Sequence, residues 1–113
     1  MDIEIEGRDI GRLDFELFGN SAPKTVNNFL GFVSGDFNPY HRYKGSYFLN
    51  VVEQRFITGG DFVNNDGTGS TTVYPEQVKI KSEKNNLKFS EQYLLAMSAD
   101  SEGNTGCQFF ITL

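Results

Sequence analysis

Few side chains in this 113-residue sequence could do chemistry, and most of them stand alone. His41 is the single histidine. With no cysteine or acidic partner close to it in sequence, it reads as a loop surface residue rather than a base or a ligand. Cys107 is the single cysteine and lies in an apolar run, so it reads as a small buried apolar residue rather than a redox-sensitive thiol. Asp61 to Gly69 is superficially like a calcium loop, but the glycine and the terminal glutamate of an EF-hand are misplaced. Gly67-Thr68-Gly69 is not a phosphate loop, because no Gly-Lys-Ser/Thr follows it. Two segments remain. One is Phe-Ile-Thr-Gly-Gly-Asp-Phe, Phe56 to Phe62, followed by Asp66-Gly-Thr-Gly69; the other is Gly-Cys-Gln-Phe-Phe-Ile-Thr, Gly106 to Thr112. Alternation in the second turns one of Phe109 and Phe110 inward and the other outward.

The elements that position these segments read as mostly strand. Met1 to Glu6 alternates acidic and apolar residues. A turn at Gly7-Arg8-Asp9 leads to a second alternating run, Gly11 to Leu17, with Leu13, Phe15 and Leu17 on one face; together they predict a hairpin. Ser21 is the expected N-cap of a helix with Pro23 in its first turn, Val26, Phe29, Leu30 and Val33 on its apolar face, and Gly35 at its C-cap. Asp36 to Tyr43 is a loop by composition. Tyr47 to Val52 and Phe56 to Thr58 predict strands around a Glu53-Gln54 turn, and Gly59-Gly60 lets backbone approach backbone closely. Val78 to Ile80, Tyr93 to Met97 and Cys107 to Leu113 complete the expected strands, with polar connections at Asn64–Thr72, Lys81–Phe89 and Ser98–Gly106.

The two segments above resemble the cyclophilins, the barrel-shaped peptidyl-prolyl cis-trans isomerases. Gly11 to Phe18 (Gly-Arg-Leu-Asp-Phe-Glu-Leu-Phe) is similar to that family's second strand, and Ala22 to Phe29 to the start of its first helix. Tyr43-Lys-Gly-Ser46 leads into the strand that in the family carries a catalytic arginine. The resemblance covers essentially the whole chain. It implies a mainly β fold: an antiparallel β-barrel, incomplete, with one capping helix near residues 22–34, in a single domain over 1–113. The family's last strands, its second helix and the Trp and His of its pocket have no counterpart here.

The resemblance also assigns a site. Gln108 and Phe110 match the pocket glutamine and the phenylalanine under the proline ring, and Phe56 takes an apolar pocket position. Asn50 stands at the catalytic-arginine position, Thr58 at that of its supporting glutamine, and Arg55 at a pocket-wall phenylalanine. Ala99, beside Asp100, completes the substrate-binding set. Asn50 and Arg55 flank one turn, so Arg55 is the candidate to supply the missing guanidinium; its other reading is a solvated turn residue. The implied activity is weak isomerisation of X-Pro bonds in proline-containing peptides or proteins, with neither metal nor organic cofactor. The alternative is a catalytically inactive binding or structural subunit, with a protein partner covering the open barrel edge; a third reading makes the chain a fragment of a longer protein.

Composition sets the remaining expectations. The net charge of −5 argues against nucleic acid, whose phosphates need clustered Lys and Arg. Eleven Phe with no Trp predict a Phe-rich core. No apolar run approaches the roughly 20 residues of a membrane-spanning helix. One cysteine, no Asn-X-Ser/Thr sequon and an acidic start place the chain inside the cell, in the cytoplasm first and an organelle second.

Overall fold

The chain opens with a hairpin. In the computed structural model, which describes all 113 residues, β1 (Asp2–Ile5) pairs antiparallel with β2 (Arg8–Arg12). The turn is Glu6-Gly7, one residue earlier than expected. Ile5 pairs directly with Arg8, and Glu6 and Gly7 both take positive φ, 51° and 78°, as a two-residue hairpin turn requires. A bulge after Ile3 tightens the ribbon, and Arg12 closes it with a 2.7 Å ion pair to Asp2. The second strand also differs from the expected Gly11–Leu17. Beyond Leu13, whose N–H bonds Met1 O, residues 14–18 pair with no strand. The alternation there still reports a face: Phe15 and Leu17 pack on the core while Asp14 and Glu16 stay exposed.

Helix α1 (Pro23–Ser34) is where the sequence places it, and Gly35 ends it in the left-handed region at φ 69° with its N–H on Gly31 O. Ser21 is not its cap. Ala22 holds that position and makes no side-chain bond. Instead Glu83, from the distant polar connection at Lys81–Phe89, accepts from Thr25 N at 2.6 Å and Thr25 Oγ1 at 2.7 Å. The buried face is also rotated from expectation. Asn28, Phe29 and Phe32 are buried, while Leu30 and Val33 are about half exposed. Asn28 is drawn inward because both ends of its amide are used: Nδ2 donates to Gly106 O and Oδ1 accepts from Val73 N.

Five further strands form one antiparallel sheet: β3 (Phe48–Val52), β4 (Phe56–Gly59), β5 (Ile80–Lys81), β6 (Leu95–Ala99) and β7 (Asn104–Thr112). The order is β3-β4-β7-β5, with β6 on the other side of β7. β7 is therefore the spine, and its odd-numbered residues Thr105, Cys107, Phe109 and Ile111 are buried. The core joins Phe29, Phe109 and Ile111 to Phe48, Ile57, Leu95 and Met97. Tyr43, in a segment read as loop, is its aromatic hub. Its ring lies 5.1–5.7 Å from Phe29, Phe32, Phe62 and Phe109, and its hydroxyl donates to Cys107 O.

Candidate functional site

The register of four strands assembles one row of side chains. Asn50 pairs with Thr58, Thr58 with Phe110, and Phe110 with Ala96 across the sheet; beside them, Val52 pairs with Phe56 and Phe56 with Thr112. Directly paired residues share a face. The face opposite carries Ile57, Phe109, Ile111, Leu95 and Met97 into the core, so the Asn50–Thr58–Phe110 row lies outside. Phe109 is the inward member of the Phe-Phe pair and Phe110 the outward one. Phe56 leans on Phe110 edge to face, with centroids 6.4 Å apart.

Gln108 is two residues along β7 from Phe110, on the same side of the strand. Its Nε2 donates to Gly67 O at 2.9 Å and Gly69 O at 2.7 Å. Two carbonyl partners fix the amide orientation and leave Oε1 as an acceptor with no partner in the protein. The loop that presents those carbonyls is built on Asp61, which is only 1% exposed. Its carboxylate accepts from the N–H groups of Val63, Asn64, Asp66, Gly67 and Gly69. Burial works against that charge, but the backbone donors outweigh it and hold the pKa down at about 2. Asp61 thus organises the nine-residue loop through backbone donors. Gly69 allows it, because a Cβ there would collide with the Asp61 carboxylate.

The remaining candidates are spread around the row. Arg55 ends the turn between β3 and β4, next to Phe56; its backbone carbonyl accepts from Leu113 N, and its guanidinium has neither hydrogen bond nor ion pair. Asn50 is exposed, and its amide is likewise unbonded. Ala99 lies apart, at the end of β6 opposite Thr105, beyond a bulge after Met97. Asp100 follows it and fastens the next turn. It accepts from Lys79 Nζ at 2.9 Å and from the N–H groups of Glu102 and Asn104, which together lower its pKa to about 2.

Cys107 lies behind the row, fully buried, and burial pushes its thiol up to about 11. That is the inert cysteine the sequence predicts. His41 is a correction: it is half buried, its ring lies between Phe37 and Phe62, and its Nδ1 is buried without a partner. Phe37 is a local neighbour, but Phe62 is a tertiary partner 21 residues along the chain, which the sequence around His41 does not announce. Neither of two concavities is lined by Asn50, Thr58 or Phe110. One of about 490 Å³ runs along α1 past Leu30, Val33, Phe37 and Val73. The other, of about 300 Å³, separates residues 14–18 from β6. Sequence reasoning missed Asp61, whose role shows only when the loop closes on it, and Phe89, which packs on Phe110 from the connection before β6.

The sequence and the fold have relatives among known proteins. The sequence matches the family described as cyclophilin type peptidyl-prolyl cis-trans isomerase/CLD over residues 1–113. The chain belongs to the cyclophilin family. It is 42% identical over 105 residues to peptidyl-prolyl cis-trans isomerase H of Mycosarcoma maydis, a match covering 90% of this chain and 66% of that protein. Its fold is similar to the crystal structure of the Mimivirus cyclophilin, with a TM-score of 0.82 and 29% identity over 99% of this chain and 58% of that one. This cyclophilin chain therefore spans about three fifths to two thirds of the relatives it matches. Its strands form the mainly β, antiparallel arrangement with one helix that the resemblance implies.

Proposed function

We propose that this chain is a peptidyl-prolyl cis-trans isomerase of low turnover that acts on exposed X-Pro bonds of peptides and proteins. The observation that carries the proposal is the row on the outer face of β3, β4 and β7, which combines an aromatic floor at Phe110 with a fixed amide acceptor at Gln108. Rotation about an X-Pro bond faces a barrier of roughly 20 kcal/mol from amide resonance. No covalent intermediate is needed to lower it. The protein must hold the proline ring and bind the twisted bond more tightly than either planar form. Phe110 and Phe56 give the ring an apolar seat, and Gln108 Oε1 accepts from a peptide N–H.

The charge for catalysis comes from Arg55. As the bond twists, the prolyl nitrogen regains a localised lone pair, and a donor aimed at it stabilises the transition state. Asn50 is in the row but is neutral. Arg55 adjoins Phe56, and its guanidinium has no competing partner in the protein. A donor reaching in from the turn is less well placed than one standing in the row, which fits slow turnover. Prolyl exchange measured by NMR on a short Ala-Pro peptide tests the reading: acceleration by the folded chain supports it, and none overturns it.

The second reading is a cyclophilin-like binding or structural subunit without catalysis. It is favoured by the neutrality of Asn50 and the short side chain of Thr58, and it keeps the same peptide seat. A peptide that binds on the row without faster exchange is its signature. In either reading we place the protein inside the cell, where its single thiol needs no oxidised partner.

A further inference from the structure

We infer that Phe89 is a third aromatic wall of the proline seat, a role that rests on the reading of the row as an X-Pro site. On β7, Phe110 has Thr58 on one side and Ala96 on the other. Phe56 covers the β4 side of the ring. Ala96 offers only a methyl group, so the strand itself leaves the β6 side of Phe110 without a wall. Phe89 fills that side. Its ring is tilted 55° to that of Phe110, with centroids 5.5 Å apart, although Phe89 is 68% exposed and belongs to no strand or helix. A large apolar ring this exposed does little for the core, and its one aromatic contact is with the floor of the seat.

The connection that carries Phe89 is pinned close to the floor. Thr112 Oγ1 donates to Glu91 O at 3.0 Å and accepts from Leu94 N at 2.8 Å, while Tyr93 N donates to Thr112 O at 2.7 Å. These bonds fasten the chain two residues from Phe89 to β7 two residues from Phe110. Phe89 is thereby held in position before any peptide arrives, which lowers the ordering cost of binding. A proline ring on Phe110 then meets aromatic carbon on both flanks, Phe56 and Phe89, and a smaller X-Gly or X-Ala residue does not fill the space between them. Phe89 is in this way a determinant of selectivity for proline over other residues.

The test is an NMR titration of the full chain with a short Ala-Pro peptide and with its Ala-Ala counterpart, following the Phe110 and Gln108 amides. In the Phe89→Ala variant, affinity for the Ala-Pro peptide falls about fivefold, while Phe89→Tyr stays within about twofold of the parent. The melting temperature of both variants matches the parent, as the exposure of Phe89 dictates, so a loss of affinity reports the seat rather than the fold. Parent binding that Phe89→Ala leaves unchanged or tightens overturns the wall and leaves the site standing. A parent that shifts neither amide with the Ala-Pro peptide overturns the site, and the wall with it.

Discussion

Asn50 stands in the row where a guanidinium would act most directly, paired across the sheet with Thr58. Replacing it by arginine places a cation on the outer face beside Phe110. Asn50→Arg is therefore predicted to accelerate prolyl exchange by about a hundredfold over the parent, the effect of one well-placed donor on a developing charge. An unchanged rate would show that the row does not face the rotating X-Pro bond. Gln108 differs in kind, because its Nε2 is committed to the loop while its Oε1 is the acceptor we propose for a peptide N–H. Gln108→Ala frees both Gly67 and Gly69 carbonyls and is expected to weaken Ala-Pro binding about tenfold in the same titration. Cys107 is the residue whose chemistry is suppressed. With its thiol at about 11 and no exposed surface, it is predicted to resist a disulfide reagent at pH 8 until urea unfolds the chain. Rapid labelling of the native protein would contradict its placement behind the row.

The elements show which parts of the structure were legible in the sequence. Strand alternation put one of Phe109 and Phe110 inside and the other outside, because a period of two is a local property, but only the family resemblance singled out Phe110 for the outer face. The helix ends at Gly35 for an equally local reason, its left-handed φ. What escaped was tertiary. The helix N-terminus is capped by Glu83, 58 residues from Thr25 in sequence, so no motif near Ser21 could announce it. Glu83→Ala is predicted to cost about 1 kcal/mol in urea unfolding, the usual worth of a lost cap, whereas Ser21→Ala costs nothing measurable. Tyr43 and Asn28 were illegible for the same reason: each earns its burial through partners far along the chain. The Asp61 loop adds a pH dependence. Its folded pKa of about 2 lies below the ordinary 3.8, so its stabilisation is complete above about pH 4 and is lost as pH falls toward 2. Asp61→Asn is predicted to destabilise the chain by about 2 kcal/mol at pH 7. The variant is also predicted to lack this part of the acid transition in fluorescence-monitored titration.

At the scale of the molecule, the core is thin on one side. Only 14 of 113 residues are buried, and a groove of about 300 Å³ between residues 14–18 and β6 exposes Phe18 and Tyr93 at its rim. Residues 14–18 have no strand partner there, so an apolar groove lies beside unpaired backbone. Such a surface favours association. Sedimentation is predicted to show reversible self-association of the isolated chain as its concentration rises, and a strictly monomeric chain would contradict that view of the groove. β6 of the sheet that carries the candidate site walls this groove, but Asn50, Thr58 and Phe110 do not line it, so the row is expected to work in either state. The measurement that bears most directly on the whole account is two-dimensional exchange NMR on an Ala-Pro peptide, run with the folded parent chain and with Arg55→Ala. Faster cis-trans exchange with the parent, abolished by the substitution, is the predicted result. No acceleration by a chain whose own amide spectrum is well dispersed would contradict it and leave a peptide-binding cyclophilin without catalysis.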